Sequence, residues 1–253
     1  MRALLPLCFL VCGCSSAEYV PIETGDSGSA EPETVYSDGD RILLYYGNGG
    51  DSGRSDGVGK VEDIDAHWKS TYGWNTDWRD NLEGDLTAFR MIGIMGAGYE
   101  EAIPFASETV ALLQAALDRG TRLLIVTETE NCAATTINPL LEALGAPMRF
   151  NGDGEQIYKV ILPEYIATHQ TTEGVESLWL SDPCYLDLNG AETVAEHEGD
   201  VLVAAYRPNN AGDIIVVGDY EFFDDSGNLD REDNKVFANR LVELSADYEP
   251  SSR

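Results

Sequence analysis

Four continuous apolar segments, spread over most of the chain, constrain the fold more than any other feature. They are RILLYYG (41–47), FRMIGIMG (89–96), RLLIVTE (122–128) and DIIVVGD (213–219). Each is short and ends in glycine or an acidic residue, which is typical of a strand buried on both faces. Such strands need helices above and below the sheet. The pattern therefore predicts an α/β protein built in three layers.

Amphipathic segments separate these strands. Apolar residues recur at helical spacing in four places: Val61, Ile64 and Trp68; Val110, Leu113 and Leu117; Ile137, Leu140, Leu141 and Leu144; and Phe237, Leu241 and Leu244. After Met148 the pattern changes to shorter strand-like runs at 158–162, 176–180, 192–197 and 201–206. These runs indicate an antiparallel β extension at one edge of a mainly parallel sheet.

The N-terminal segment MRALLPLCFLVCGCSSAE predicts that the protein is exported. One basic residue, Arg2, precedes an apolar run that is too short to span a bilayer, as in a secretory signal peptide. The residues Val11-Cys12-Gly13-Cys14 resemble a bacterial lipobox. The resemblance implies that residues 1–13 are removed, that Cys14 carries palmitate or similar acyl chains, and that the outer membrane is the destination. A plain cleaved signal peptide, with Cys14 as an ordinary thiol, is the alternative.

Acidity dominates the rest of the composition. The chain has 45 Asp and Glu against 16 Lys and Arg, a formal net charge of −29. Such a charge repels phosphates, so nucleic acid is not an expected partner. Residues 14–40 are rich in acidic residues, Ser, Gly and Pro and cannot bury enough apolar surface to fold alone. We expect them to form an acidic disordered tether.

Cysteine usage follows from the predicted cleavage. Cys8 and Cys12 leave with the signal peptide, and Cys14 is lipidated. Cys132 and Cys184 are then left in an oxidising compartment, where a disulfide between them is expected. The alternative is that one of the two is a reactive thiol.

The order of motifs resembles glutamine-amidotransferase-like domains of a non-catalytic kind. The signatures are GD-x-E-F at 218–222 and DN-x-x-F-x-N at 233–239, after DLTAFRMIGIMG (85–96) and NPLLEALGAPM (138–148). Relatives of this kind occur in bacterial surface proteins, gliding and ABC-transport auxiliary proteins and intraflagellar-transport proteins. The resemblance implies a flavodoxin-like domain over 41–247, a tail at 248–253, and a role in binding.

Catalytic templates fit the chain poorly. The class I amidotransferases place a glycine-flanked Cys after a strand, and Cys132 instead lies between Asn131 and Ala133. The nearest His-Glu pair, His197-Glu198, is adjacent in sequence, so in a strand the two side chains point to opposite faces. The loop at 46–59 lacks the third glycine of G-x-G-x-x-G and the G-K-[ST] ending of a P-loop.

Metal templates also fail. The three histidines, His67, His169 and His197, have no metal-ligand spacing, and we interpret them as surface or structural residues. The acidic stretch DDSGNLDREDNK (224–235) departs from an EF-hand at its sixth and twelfth positions. Asp230 is predicted to be the N-cap of the last helix, with Asp233 at N3. No cofactor or metal is indicated, although a calcium-stabilised module stays an alternative.

Three carboxylates are candidate functional residues. Asp219 and Glu221 lie at and after the end of the last central strand. Glu128 is the last residue of the segment 122–128, the strand expected to lie beside it. Because ligands bind at the carboxyl ends of strands in open α/β sheets, they form a candidate pocket. The sequence favours a non-enzymatic outer-membrane lipoprotein that binds an envelope protein or glycan. A carboxylate-dependent hydrolase acting on envelope glycans or peptides is the alternative.

Overall fold

A computed structural model describes residues 41–49, 62–98, 101–127, 132–154, 158–208, 212–223 and 227–243. These residues form a three-layer α/β domain, which confirms the predicted fold class. The strands are β1 (Arg41–Tyr45), β2 (Asn75–Arg79), β3 (Met91–Met95), β4 (Arg122–Val126), β5 (Arg149–Gly154), β6 (Tyr158–Ile161), β7 (Leu178–Ser181), β8 (Cys184–Asp187), β9 (Glu192–His197), β10 (Asp200–Tyr206) and β11 (Ile214–Val217). The helices are α1 (Glu62–Tyr72), α2 (Ser107–Asp118), α3 (Ala134–Ala143) and α4 (Asn234–Val242).

The central sheet has the strand order β2-β1-β3-β4-β11-β10-β8-β5. Its first five strands are parallel, and their order is that of a flavodoxin-like sheet, with the reversal of strand order between β1 and β3. The next three strands are antiparallel, β9 pairs with β10, and β6 and β7 form a separate two-stranded sheet. The expected antiparallel extension at one edge is therefore present.

Two apolar cores lie on opposite faces of the sheet. Ile42 and Leu44 of β1 belong to one core and Leu43 to the other, because successive strand residues point to opposite faces. The first core includes Trp68 of α1 and Phe237 of α4, and the second is covered by α2 and α3. Burying each such side chain contributes about 1.5–3 kcal/mol. None of the helices in the described ranges is long and apolar enough to cross a membrane.

Three strands were not predicted from the sequence: β2, β5 and β8. β2 is an edge strand of polar sequence, NTDWR, whose residues are all half-buried. β5, RFNGDG, is also an edge strand and is largely exposed, and β8 has only four residues. Because a strand with one covered face or one neighbour need not be apolar throughout, these segments lack a strand signal.

The last helix begins later than predicted. Asp230 is not its N-cap, because the helix begins at Asn234 and Asp233 is the N-cap residue. The Asp233 carboxylate makes no capping bond, since its Oδ2 accepts the backbone N–H groups of Glu176 and Ser177 at 2.8 and 3.1 Å. Tertiary contacts to the chain before β7 therefore set the start of α4.

Candidate functional site

Asp219, at the carboxyl end of β11, is fully buried and committed to backbone hydrogen bonds. Its Oδ2 accepts the N–H of Ser181 at 2.9 Å, and its Oδ1 accepts the N–H of Glu221 at 2.7 Å. These bonds join the end of β7 to the turn that follows β11. Donors on both oxygens fix the carboxylate in position.

Two of the three carboxylates predicted to form a pocket, Asp219 and Glu221, are among the described residues. Glu221 is half-buried at the start of the 3₁₀ turn Glu221–Phe223. Neither Asp219 nor Glu221 lines the cavities described below. Glu128 lies outside the described residues, although β4 is the parallel neighbour of β11 as expected.

Cys132 and Cys184 are joined in a disulfide, with their Cα atoms 5.5 Å apart. Both are fully buried, Cys132 just before α3 and Cys184 at the start of β8. Gly218 lies against β8, and a Cβ at Gly218 would be 2.1 Å from the carbonyl oxygen of Cys184. Only glycine allows β11 to end so close to β8. The disulfide thus lies beside Asp219 in a tightly packed region.

The loops at the strand-order reversal between β1 and β3 interlock in their described parts. The side-chain amide of Asn48 donates to the carbonyls of Ile103 and Pro104 at 3.1 and 3.0 Å. The N–H of Gly98 donates to the carbonyl of Asn48 at 2.9 Å. A Cβ at Gly49 would lie 1.9 Å from the carbonyl oxygen of Glu101. Residues 50–59 of the loop that we compared with phosphate-binding loops lie outside the described residues.

An open polar cavity lies at the opposite end of β11. Its volume is about 400 Å³, and it is lined by Thr168, His169, Gln170, Glu192, Ala205, Tyr206, Arg207 and Asp213. We call it the His169 cavity. A groove of about 540 Å³ adjoins it and shares Thr168, His169 and Gln170. Concave sites of this size are typical of small-molecule binding, so the His169 cavity is the candidate functional site.

Asp213 is a buried residue of the cavity lining and is paired with Arg122, the first residue of β4. Arg122 donates from Nε to Oδ1 at 2.7 Å and from Nη2 to Oδ2 at 2.8 Å, and Gln170 donates to Oδ2 at 2.9 Å. Burial raises the pKa of Asp213, but the hydrogen bonds and charge of Arg122 outweigh it and the net pKa is lowered. Asp213 is therefore ionised and fixed in position.

Arg122 also caps α4. Its Nη1 donates to the carbonyls of Arg240, Leu241 and Glu243 at 3.0, 2.7 and 2.9 Å. Those carbonyls lie at the negative end of the helix dipole, where a guanidinium is stabilising. One buried side chain thus joins β4, β11 and α4 beneath the cavity.

His169 is held in a defined tautomer. Its Nδ1 accepts the backbone N–H of Thr171 at 3.2 Å and lies 2.7 Å from the Thr171 hydroxyl, so the ring proton is placed on Nε2. Burial is the main cause of a lowered pKa, with Asp213 and Glu192 opposing it and Arg122 and Arg207 adding to it. The imidazole is therefore neutral near pH 7.

The other two histidines have structural partners. The Nε2 of His67 lies 2.9 Å from Oδ1 of Asn239, and Nδ1 of His197 lies 3.2 Å from Nζ of Lys159. Within the described ranges, no group of three or more His, Cys, Asp or Glu residues could hold a metal ion. Part of the acidic loop compared with an EF-hand, residues 224–226, is not among the described residues.

This cavity was not predicted from the sequence. His169 was interpreted as a surface or structural residue, and no role was predicted for Glu192, Arg207 or Asp213. One signal was available, because RLLIV and DIIVV each begin with a charged residue of opposite sign. Once β4 and β11 are known to be parallel neighbours, with Leu123 opposite Ile214, these two charges must meet.

Comparisons with known proteins support the fold. No family model matches the chain, and no curated protein matches it. Among solved structures, the mmIFT52 N-terminal domain is 16% identical over 79% of this chain and 94% of that domain, with a TM-score of 0.62. The cytoplasmic protein STM1381 from Salmonella typhimurium LT2 is 14% identical over 80% of this chain and 98% of its own, with a TM-score of 0.53.

A third similar structure is the exo-β-1,4-mannosidase Op5Man5 from Opitutaceae bacterium strain TAV5. It is 14% identical over 81% of this chain, with a TM-score of 0.50, and the match spans 36% of the mannosidase. At such identities the likeness establishes the fold alone. That fold is a mainly parallel, flavodoxin-like three-layer α/β fold, as predicted from the sequence.

Proposed function

We propose that this protein is a lipid-anchored, non-enzymatic binding module of the cell envelope of a Gram-negative bacterium. In this proposal Cys14 carries the acyl chains, residues 14–40 form the tether, and the domain binds an envelope protein or glycan at the outer membrane. The observation that carries the proposal is the carboxyl end of β11. There, where α/β enzymes place their chemistry, Asp219 accepts two backbone N–H groups and a disulfide packs alongside.

The disulfide also supports the proposed compartment. Disulfides persist in the periplasm and on cell surfaces and are rare in the cytosol. The Cys132–Cys184 bond is therefore consistent with export by a signal peptide that ends at Gly13. Lipidation follows from the same segment, because the residue after Gly13 is Cys14.

The test is recovery of a partner from the native envelope. Full-length protein is cross-linked in cells, solubilised in detergent and purified, with Cys14→Ser as the matched control. We expect the wild type to fractionate with the outer membrane and to co-purify one envelope component in near-stoichiometric amount. The control should lose the membrane association. Soluble wild type, or an empty cross-linked fraction, would contradict the proposal.

The hydrolase alternative is disfavoured by the contacts of Asp219. An acid or base catalyst needs a carboxyl group that can reach the substrate, and this one is fully buried. Incubation with envelope glycans and peptides tests it directly. Release of reducing ends or amines that disappears in a folded Asp219→Asn variant would establish an enzyme and overturn the proposal.

A further inference from the structure

We infer that the His169 cavity binds a neutral saccharide of more than one ring. The inference rests on the proposed binding function and names the chemistry of its ligand. It starts from the charges of the cavity, which cancel. Asp213 is paired with Arg122, and Glu192 and Arg207 contribute one charge of each sign. The cavity is locally neutral in a chain of net charge −29, so it does not favour an anionic ligand.

The open hydrogen-bonding groups form a mixed set. Within the described residues, the Glu192 carboxylate, the Thr168 hydroxyl and Nε2 of His169 make no hydrogen bond to the protein. They offer an acceptor, a group that both donates and accepts, and a donor. Sugar hydroxyls also both donate and accept. A polyhydroxylated neutral ligand can therefore satisfy every one of these groups.

The polar walls are fixed before any ligand arrives. Thr171 holds the His169 ring, and Arg122 holds Asp213, which in turn holds the side-chain amide of Gln170. Preorganised groups lose little entropy on binding, which is how a shallow polar site gains affinity.

The shape of the site indicates more than one sugar ring. The His169 cavity of about 400 Å³ continues into the groove of about 540 Å³ across Thr168, His169 and Gln170. The groove is lined by residues 166–170 and 172–175, so a ligand that leaves the cavity follows this segment of chain. A chain of sugar rings fits such a continuous path, whereas a single ring would fill only one part of it.

Calorimetric titration of the full-length protein in detergent tests the inference. The probes are three neutral trisaccharides, maltotriose, cellotriose and N,N′,N″-triacetylchitotriose, with trigalacturonate as the anionic comparison. We expect at least one neutral probe to bind and trigalacturonate not to bind. Glu192→Gln should weaken binding by roughly tenfold or more, because it removes a charged acceptor. Glu196→Gln, on the same strand and outside the cavity, should leave the affinity unchanged.

Thr168→Trp provides a second variant that does not depend on the charge. Thr168 is exposed, so the fold should tolerate the larger ring, which occupies the junction of cavity and groove. Binding should be lost. The inference is overturned if no neutral probe binds, if trigalacturonate binds instead, or if Glu192→Gln and Glu196→Gln have equal effects. Such a failure, with envelope co-purification intact, would leave the proposed function standing.

Discussion

At the scale of single residues, two buried aspartates flank β11 and have different partners. Asp219 lies after β11 and is stabilised by backbone N–H groups, whereas Asp213 lies before the same strand and is stabilised by a guanidinium. Each is 6% exposed or less. Burial of an acid is often taken as a sign of catalysis. Here the contacts show one carboxylate that joins chain segments and another that supports the wall of a cavity.

Asp219→Asn should lower the free energy of unfolding by about 1–3 kcal/mol. An asparagine keeps one acceptor oxygen, so one of the two backbone donors, of Ser181 or Glu221, is left without its partner. Urea denaturation followed by circular dichroism measures the change. Glu221→Gln is the control, since a partly exposed carboxyl outside these bonds should change stability by less than about 0.5 kcal/mol. Equal effects of the two variants would show that the bonds of Asp219 are not stabilising.

His169 should make stability depend on pH. Its pKa in the folded protein is lowered from the ordinary value of 6.5, chiefly by burial. The unfolded chain therefore takes up a proton first as the pH falls. Stability from this group is complete above pH 6.5 and is lost as the pH falls toward the folded pKa. Unfolding free energies measured between pH 8 and pH 5, which span the ordinary value of about 6.5, should fall less steeply for His169→Asn, which keeps a capping side chain. Parallel curves would contradict the assignment.

At the scale of elements, the apolar runs predicted the central strands β1, β3, β4 and β11, because a strand buried on both faces must be apolar throughout. The polar edge strand β2 gave no such signal, since its half-buried Asp77 accepts hydrogen bonds from both Arg79 and Arg41. The predicted start of α4 was wrong by a few residues. Its position depends on Asn234, whose side chain pairs with the backbone N–H and C=O of Trp179, a contact made across 55 residues.

Arg122 should be the most costly single substitution among the contacts that join elements. Arg122→Ala leaves Asp213 buried without its main counter-charge and uncaps α4, which should lower the free energy of unfolding by about 3–5 kcal/mol. The double variant Arg122→Met, Asp213→Leu is the control, because it removes both charges together. We expect it to recover most of the loss in urea denaturation. If the double variant is as unstable as Arg122→Ala, the unpaired charge of Asp213 is not the cause of the lost stability.

At the scale of the whole molecule, the disulfide ties the parallel half of the sheet to its antiparallel extension. Cys132 and Cys184 are separated by 52 residues. By loop entropy, removing the bond with Cys132→Ser and Cys184→Ser should lower the free energy of unfolding by about 4 kcal/mol. Urea denaturation of oxidised and reduced wild type is the matched comparison. A variant as stable as the oxidised protein would show that the bond does not constrain the unfolded chain.

The sequence pattern could not predict the candidate site, because its residues are distant in sequence and meet only in the tertiary structure. His169 comes from a loop before β7 and Glu192 from the start of β9, whereas Arg207 directly follows β10 and Asp213 directly precedes β11. Only the tertiary arrangement brings them to one cavity, and none belongs to a local motif. Asp219 and Glu221 belong to the GD-x-E-F signature, whose Gly218 packs tightly against the backbone of Cys184.

The intact mass of the full-length protein, purified from envelopes without reductant, tests whether it is a lipid-anchored envelope protein. We predict a chain that begins at Cys14, carries the mass of the attached acyl groups, and lacks the two hydrogen atoms lost in forming the Cys132–Cys184 bond. Cys14→Ser should lose the acyl mass. A wild-type chain that begins at Met1, or that bears no acyl group and two free thiols at Cys132 and Cys184, would contradict the account of a lipid-anchored envelope protein.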